Sequence, residues 1–549
     1  MSGLKRSQTH CLDGAPTFCR FGRLRLALSF ATLFAFSPPA PAQAIPKTAR
    51  PDADRFCARV LAIGTATSSK RAFWGVLVVD RDTGALLCEI NSDHFFAPAS
   101  NAKLFTTALA LQTLGSGYRF HTTLESEATL GTDGRLAGDL WFVGRGDPDL
   151  SNRKIPYTTA PEREGVAEKV LAEMADAAVR AGLKEVDGNI VADDSYFPYD
   201  PYPAGWGVGD LFFRFAAPVS AIAFNDNSVR VDVLPGRRIG DSAAILTEPV
   251  TALDSFTSEI TTSASDAEED LAVVRQPGEK FIQLRGTVPL GRKAATLDLA
   301  MSDPSETAAR ALRQLLEARG VRVMGGIEVR HAPPPKTSAS GEPILDRASQ
   351  PEMNSNRHVL AEHVSEPVLE AIRITNKVSQ NTHAELLLRA VGRTKLGLGS
   401  TAAGLKVERE FLHRAGIPDG DVLLSDGSGL ARDDLVTPRA TVALLEYVVR
   451  QPWGPDYIST LPVAGVDGTL ENRMANTVAS SRIQAKTGEL EHMRGLSGYA
   501  TTLQGERLIF SIFYNNNPQK GVEGAAPIDE IAKAMVEILG TGRVTPKQP

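Results

Sequence analysis

The 549-residue chain is poor in cysteine and has none of the residue spacings that hold metal ions. None of its four cysteines lies in a C-x-x-C pair, its nine histidines are scattered, and no H-E-x-x-H motif occurs. Those spacings are the sequence signs of zinc sites. Gly84, Gly144 and Gly146 likewise form no phosphate-binding loop. We therefore expect chemistry carried out by side chains alone, with no metal ion and no cofactor.

Long hydrophobic runs are also scarce, and the one near the start, residues 26–36, is too short to span a bilayer. Three arginines between residues 20 and 25 precede it, and the small-x-small sequence A-Q-A follows at 42–44. This order is typical of a cleaved signal peptide, although a buried N-terminal helix is the alternative. We predict that residues 1–44 are removed on export to the periplasm. The mature chain then begins at Ile45 and has no transmembrane anchor.

Basic charge is in deficit once this leader is removed. The leader holds five basic residues and one acidic residue, so the net charge changes from −6 to −10. An acidic chain argues against nucleic acid as a partner and against electrostatic attachment to anionic lipid. Only Cys57 and Cys88 then remain. In an exported protein they could pair or stay as buried free thiols, and the sequence leaves both alternatives open.

Strand patterns lie at both ends of the mature chain and helical patterns lie between them. Residues 73–80 and 85–90 predict one hairpin, and residues 496–503 and 507–514 predict another. Helical periodicity marks residues 104–114, 307–318, 368–377, 384–391 and 528–539. We expect an α+β fold in which helices cover an antiparallel sheet.

The middle of the chain reads differently. Short strand patterns and turns fill residues 125–300, at 140–143, 186–192, 228–234 and 281–288. We interpret 125–300 as one or more β-rich domains inserted into a catalytic domain made of residues 45–124 and 301–549. A Pro- and Ser-rich stretch at 332–356 predicts a loop or linker.

Three short motifs follow one another in the predicted catalytic domain. They are S-N-A-K at 100–103, S-Q-N at 379–381 and K-T-G at 486–488. Each is weak alone, and S-x-x-K also occurs at Ser2 and Ser151. Taken singly they fit a helix cap, a turn and a strand end. In this order, S-x-x-K, S-x-N and K-T-G supply a nucleophile, a base, a proton relay and a carboxylate anchor.

Five further segments accompany the trio, namely G-R-G-D-P at 144–148, D-D-S-Y-F at 193–197, A-P-V-S at 217–220, D-G-S-G-L-A-R at 426–432 and G-V-D-G-T-L at 465–470. With them the chain resembles the penicillin-binding D-alanyl-D-alanine carboxypeptidase/endopeptidase family. The resemblance implies a penicillin-recognising (β-lactamase-like) transpeptidase fold with a large insertion after the S-x-x-K helix. It also implies a periplasmic enzyme that cleaves peptidoglycan stem peptides and cross-links and is acylated by β-lactam antibiotics.

The resemblance and the chemistry together assign the catalytic residues. Ser100, at a helix start, is the expected nucleophile, and Lys103 one turn on is its base. We expect Lys103 to be largely neutral at neutral pH, because burial and the cation of Lys486 lower its pKa. Ser379 relays a proton to the leaving amine, while Asn381 and Lys486 hold the hydrogen-bond network.

Substrate-binding residues are expected beside these. Backbone N–H groups of Ser100 and Glu489 form the oxyanion hole, and Thr487 binds the terminal carboxylate with Ser379. Gly488 allows the peptide to approach the strand as an added strand. Asp193 is expected to lean over the cleft and bind the amine of a diaminopimelate side chain, although a turn-capping role is the alternative. Arg432 is expected to bind the carboxylate of the same side chain.

Two other functions remain open. A serine β-lactamase uses the same acyl-enzyme chemistry, but the long insertion and the lack of an E-x-x-L-N segment disfavour it. A non-catalytic wall-binding protein needs no complete set of Ser100, Lys103, Ser379, Asn381 and Lys486. The lifetime of a penicillin adduct separates these alternatives from a peptidase.

Overall fold

The computed structural model describes residues 50–66, 69–153, 165–249, 255–276, 279–336, 338, 344 and 356–541. The predicted leader, the predicted start at Ile45 and most of the predicted linker lie outside these residues. What is described belongs to one compact unit, Ile45–Pro549.

The described helices are α1 Pro51–Gly64, α2 Ala102–Leu114, α3 Lys169–Arg180, α4 Pro304–Glu317, α5 Val368–Lys377, α6 Asn381–Leu396, α7 Thr401–Arg414, α8 Pro438–Val449, α9 Gly454–Ser459 and α10 Gly521–Ile538. The strands in the first half of the chain are β1 Phe73–Asp80, β2 Leu86–Ile90, β3 His121–Ser126, β4 Arg135–Leu136, β5 Leu140–Val143, β6 Glu185–Val186, β7 Ile190–Pro198, β8 Ser228–Leu234, β9 Ala244–Glu248 and β10 Ser255–Ser263. The remaining strands are β11 Asp270–Val274, β12 Phe281–Pro289, β13 Ala295–Ala300, β14 Arg322–Val323, β15 Ile327–Ala332, β16 His358–Val364, β17 Val422–Leu423, β18 Leu435–Val436, β19 Ile483–Leu490, β20 Met493–Thr501 and β21 Arg507–Asn515.

The two ends of the chain build one antiparallel sheet in the order β19-β20-β21-β1-β2. We call it the catalytic sheet because it belongs to the predicted catalytic domain. Side chains alternate between its faces. Val76 and Val78 pack in a core with residues of α1 and α10, whereas Leu77 and Val79 pack with residues of α2 and α8. Strand β1 is buried almost throughout because helices cover both faces. Each fully buried aliphatic side chain contributes roughly 1.5–3 kcal/mol to stability. The α+β class expected from the sequence is confirmed.

A second core lies in the chain between α2 and α5. Its largest sheet has the order β15-β7-β5-β3-β16, and smaller sheets β13-β8-β9 and β10-β12-β11 accompany it. Buried residues of α3, α4, β3 and β16 belong to the same hydrophobic cluster. We call residues 121–364 the inserted region. The packing thus extends beyond the expected limits of 125 and 300, because the apolar face of α4 is covered by the inserted strands and not by the catalytic sheet.

A disulfide joins Cys57 in α1 to Cys88 in β2, with Cα atoms 5.3 Å apart. It fastens the first described helix to the edge strand of the catalytic sheet. In the part of the chain that the structure describes, no helix is both long enough and apolar enough to cross a membrane.

Candidate active site

Ser100 lies in a 3₁₀ turn, Ala99–Asn101, that leads directly into α2. Lys103, one turn further on, is fully buried, and its Nζ lies 2.9 Å from Ser100 Oγ. The turn is held closely from the other side. A Cβ on Gly429 would lie 1.9 Å from the carbonyl oxygen of Ala99, and Gly429 has a φ of +81°, so glycine is required there. The predicted nucleophile and base are therefore in contact.

The Lys103 amine has two further partners. Its Nζ lies 2.6 Å from Asn381 Oδ1 and 2.5 Å from the carbonyl oxygen of Ser428. Both partners are acceptors, and a neutral amine has two N–H donors and one lone pair. When those donors serve Asn381 and Ser428, the lone pair is left for the hydroxyl proton of Ser100. This arrangement suits a general base.

Burial lowers the pKa of Lys103 to about 8, although the nearby carboxyl groups of Asp426, Glu385 and Asp434 oppose the shift. Burial also lowers the pKa of Lys486 well below its ordinary value, and repulsion from Lys103 adds to the effect. With a pKa of about 8, about a tenth of Lys103 is neutral at pH 7, less than the largely neutral form expected from the sequence. Burial lowers the pKa of Lys103, whereas the repulsion between the two lysines lowers the pKa of Lys486.

Ser379 and Lys486 form the second half of the site. The loop between α5 and α6 places Ser379 at a φ of +62°, a conformation that costs a non-glycine residue roughly 1–3 kcal/mol. Lys486 Nζ donates to Ser379 Oγ at 2.9 Å and to the carbonyl oxygen of Thr487 at 2.9 Å. Asn381 begins α6 and reaches Lys103 from there. The site therefore holds two lysine–serine contacts, Lys103 with Ser100 and Lys486 with Ser379.

The K-T-G segment belongs to β19, the edge strand of the catalytic sheet. A Cβ on Gly488 would lie 2.5 Å from the carbonyl oxygen of Pro98, so glycine is needed for the strand to approach the Ser100 turn. Thr487 Oγ1 is 2.7 Å from Thr469 Oγ1, which comes from the G-V-D-G-T-L segment. Glu489 is exposed and pairs with Arg494 at 2.9 Å.

Two adjoining cavities, about 530 Å³ and 640 Å³, open over this site, and both are lined by Ser100, Ser379 and Glu489. The smaller cavity extends to Asp210, Phe215 and Arg432, and the larger one to Thr469 and Thr487. A peptide lying along β19 would therefore find space on either side of the nucleophile. In the described ranges, no cluster of His, Cys, Asp or Glu is suited to hold a metal ion.

The sequence predicts Asp193 over the cleft, but it is not among the residues that line these two cavities. It is 2% exposed, on β7, where it pairs with the buried Arg357 at 3.1 Å. It also accepts from Ser195 N at 3.1 Å and from Ser195 Oγ at 2.5 Å. The carboxylate is drawn inward because it neutralises the buried Arg357 and accepts from Ser195, two residues further along the same strand. Arg432, in contrast, lines the smaller cavity.

An acidic residue that no motif marked, Asp210, places its Oδ2 3.2 Å from Arg432 Nη2. The sequence around Asp210 gives only a weak sign of a role at the site. Asp210 begins the aromatic-rich stretch D-L-F-F-R-F, which ends one residue before the A-P-V-S segment. The second S-x-x-K serine, Ser151, is fully buried in a 3₁₀ turn and accepts from Asp226 N at 2.8 Å, while Lys154 lies outside the described residues.

Comparison with known proteins agrees with this geometry. The model of the D-Ala-D-Ala carboxypeptidase 3 (S13) family matches residues 60–535. A D-alanyl-D-alanine carboxypeptidase of Actinomadura sp. (strain R39) is 32% identical over 477 residues, which cover 85% of this chain and 81% of that protein. The D-alanyl-D-alanine carboxypeptidase DacB of Haemophilus influenzae is 26% identical over 445 residues, which cover 80% of this chain and 85% of that protein.

Solved structures show the same fold. Penicillin binding protein 4 (dacB) from Haemophilus influenzae matches with a TM-score of 0.72 and 25% identity, over 87% of this chain and 98% of that one. A structure of that protein complexed with a novel β-lactam has a TM-score of 0.68 and 23% identity, over the same shares of the two chains. The chain therefore belongs to the D-Ala-D-Ala carboxypeptidase 3 (S13) family of serine hydrolases and has the α+β penicillin-recognising fold.

Proposed function

We propose that this enzyme cleaves the terminal D-Ala-D-Ala bond of peptidoglycan stem peptides, and the peptide cross-links as well, through an acyl enzyme on Ser100. The observation that carries the proposal is the pairing of two buried amines with two serine hydroxyls. Lys103 Nζ is 2.9 Å from Ser100 Oγ, and Lys486 Nζ is 2.9 Å from Ser379 Oγ. One pair activates a nucleophile and the other serves a leaving group.

In acylation, Ser100 Oγ attacks the carbonyl carbon between the two D-alanines while its proton passes to neutral Lys103. The negative oxygen of the tetrahedral intermediate is held by the backbone N–H groups of Ser100 and Glu489. The C–N bond then breaks, and Ser379 relays a proton to the departing amine, with Lys486 donating to Ser379. Thr487 and Ser379 hold the terminal carboxylate. Water finally attacks the ester carbonyl and gives a proton to Ser379 and Lys486, and the ester C–O bond breaks as Ser100 Oγ takes its proton back from the Lys103 ammonium.

Two charged residues in the wall of the smaller cavity favour a substrate that carries both an amine and a carboxylate. Asp210 and Arg432 present opposite charges 3.2 Å apart in its wall. A diaminopimelate side chain ends in an amine and a carboxylate, so the two residues can bind its two charges. Asp210 takes over the role that the sequence assigned to Asp193. The position of Glu489 beside Ser100, in the walls of both cavities, supports its part in the oxyanion hole.

β-Lactam antibiotics are proposed as covalent inhibitors, since a β-lactam offers the serine a strained amide that it can open. The β-lactam complex of the Haemophilus influenzae protein supports this. A periplasmic location is proposed from the leader pattern, and the disulfide between Cys57 and Cys88 supports it because disulfides persist in oxidising compartments. The division into a leader, a catalytic domain and an inserted β-rich domain is likewise part of the proposal.

The test is a pair of assays on the purified enzyme. We expect release of D-alanine from a peptide that ends in D-Ala-D-Ala, and a stoichiometric penicillin adduct that is lost slowly. Rapid turnover of penicillin without D-alanine release would favour a β-lactamase. Absence of both an adduct and D-alanine release would favour a non-catalytic wall-binding protein. Cleavage of a cross-linked dimer, measured beside the linear peptide, gives the endopeptidase share.

A further inference from the structure

Both acceptors that orient the Lys103 amine are held by one stretch of the inserted region, residues 205–215. One acceptor is Asn381 Oδ1. The amide of Asn381 donates its own Nδ2 hydrogen to the carbonyl oxygen of Phe215 at 2.6 Å. This bond fixes which end of the amide faces Lys103, because only the oxygen is then left to accept from the amine. An inserted residue thereby sets the orientation of a catalytic side chain.

The second acceptor, the carbonyl oxygen of Ser428, is held through Asp426. This fully buried carboxyl accepts from the backbone N–H groups of residues 428–431 at 2.6–3.1 Å and from Ser428 Oγ at 2.9 Å. The loop that carries the Ser428 carbonyl is thus wrapped around one side chain. A further hydrogen bond to the same carboxylate comes from the inserted region, since Trp206 Nε1 donates to Asp426 Oδ2 at 2.8 Å.

Further contacts seat the same stretch on the loop. Arg432 N donates to the carbonyl oxygen of Gly205 at 3.1 Å. A Cβ on Gly205, whose φ is +81°, would lie 2.1 Å from Asp433 Oδ1, so the Asp433 side chain packs directly against the backbone of this glycine. The ion pair of Asp210 with Arg432 adds a side-chain contact. The stretch therefore touches the catalytic loop at several separate points.

We propose that residues 205–215 position the general base. Through Phe215 and Asn381 on one side, and through Trp206, Asp426 and Ser428 on the other, they aim both N–H donors of Lys103 away from Ser100. The lone pair then faces the hydroxyl. Trp206 and Asp426 are positioning residues, as neither contacts Lys103 Nζ directly. This inference rests on the proposed role of Lys103 as the base, and it makes the insertion a working part of the active site.

Charged groups around Asp426 give the proposal a pH signature. Lys103 from α2, Glu385 from α6, Glu408 from α7 and Asp434 from the following loop all interact with it electrostatically. After burial, the charge of Asp426 is the largest influence on the pKa of Lys103, and it raises that pKa. Removal of the charge should therefore lower the pKa of Lys103 and move the ascending limb of the acylation profile, where the rate rises with pH, to lower pH.

The first variant is Trp206→Phe, which removes one N–H and keeps the ring. The matched control is Trp453→Phe, because the Trp453 indole also donates to a side-chain oxygen, Gln112 Oε1, at 2.9 Å, at an exposed site. Active sites are counted by stoichiometric penicillin labelling, and the acylation rate is measured per site. We expect Trp206→Phe to slow acylation roughly threefold to tenfold with full stoichiometry, less than the full loss of a hydrogen bond to a charged group would give, because the N–H groups of residues 428–431 still hold Asp426. The control should stay within twofold.

The second variant, Asp426→Asn, should slow acylation more and shift the ascending limb of its pH profile to lower pH. Trp206→Phe should leave that limb in place. A purely structural role would lower the number of active sites and leave the rate per site unchanged. Equal rates per site for Trp206→Phe and Trp453→Phe would overturn the inference, whether or not Asp426→Asn folds. A wild-type enzyme that is not acylated would overturn the proposed function and this inference together.

Discussion

The guanidinium of Arg432 lies 3.2 Å from the carboxylate of Asp210, in the wall of the cavity beside Ser100. The side chain of Arg432 is 41% exposed and that of Asp210 is 20% exposed, so water screens the pair and it contributes little to stability. The pair lies at a cleft, and its separation costs little free energy. Asp210 and Arg432 can therefore each exchange the other for one of the two charges of a substrate.

Asp210→Asn and Arg432→Gln should therefore each slow cleavage of a diaminopimelate-containing peptide by about tenfold to a hundredfold, the effect of one lost charge-assisted contact. Acylation by penicillin should change less than threefold, since that ligand has no diaminopimelate side chain and so offers neither the amine nor the carboxylate that the two residues would bind. Both rates are measured on the same enzyme preparation. An equal loss toward both ligands would show that the pair supports the chemistry or the fold.

Asp193→Ala is expected to act on stability. The substitution leaves the guanidinium of Arg357 buried without the carboxylate that lies 3.1 Å away. Loss of one partner of a buried ion pair typically costs about 3–5 kcal/mol. The apparent melting temperature should fall, while the activity of the folded fraction toward peptide and penicillin stays unchanged. An unaltered melting temperature with a selective loss of peptide cleavage would restore Asp193 to a substrate role.

Penicillin acylation should depend on pH through Lys103. The neutral amine is the reactive form, and burial lowers its pKa from 10.5 to about 8. The rate should therefore rise with pH and level off above about pH 8 to 9, well below the value for an ordinary lysine. A rate that stays flat from pH 6 to pH 10, or that rises only near pH 10.5, would remove Lys103 as the base.

The disulfide should stabilise the catalytic sheet. Cys57 and Cys88 are 31 residues apart, and the chain-entropy model gives a stabilisation of about 3–4 kcal/mol for a loop of this size. The double variant Cys57→Ala/Cys88→Ala should melt at a lower temperature than the oxidised wild type. Addition of a reductant should lower the melting temperature of the wild type and leave that of the variant alone. Identical melting of the two proteins would contradict this.

Local pattern was enough to predict the elements that carry the catalytic motifs. Residues 368–377 form α5 as expected, and the S-x-N loop follows it. Periodicity placed the end of β21 within one residue, and it marked only the middle of α6, which extends to Asn381–Leu396. Ser100 and Asn381 stand where helices begin and Lys486 lies within the edge strand β19, so the three motifs fall on elements that the local pattern marks.

Long-range partners were beyond the reach of the sequence. Asp193 and Asp210 are both acidic residues near family-like segments, and only the fold shows that Arg357 takes the first and Arg432 the second. The contact of Trp206 with Asp426 spans 220 positions of the chain. The limits of the inserted region depend on such long-range packing as well, because an amphipathic helix such as α4 does not reveal which sheet it covers.

The most direct test of the central claim is the identity of the acylated residue. The wild type is incubated with penicillin, its intact mass is measured, and the modified peptide is sequenced by mass spectrometry. The account predicts one adduct per chain, on Ser100, absent from Ser100→Ala and retained by Ser151→Ala. An adduct on any other residue, or one that persists in Ser100→Ala, would contradict it.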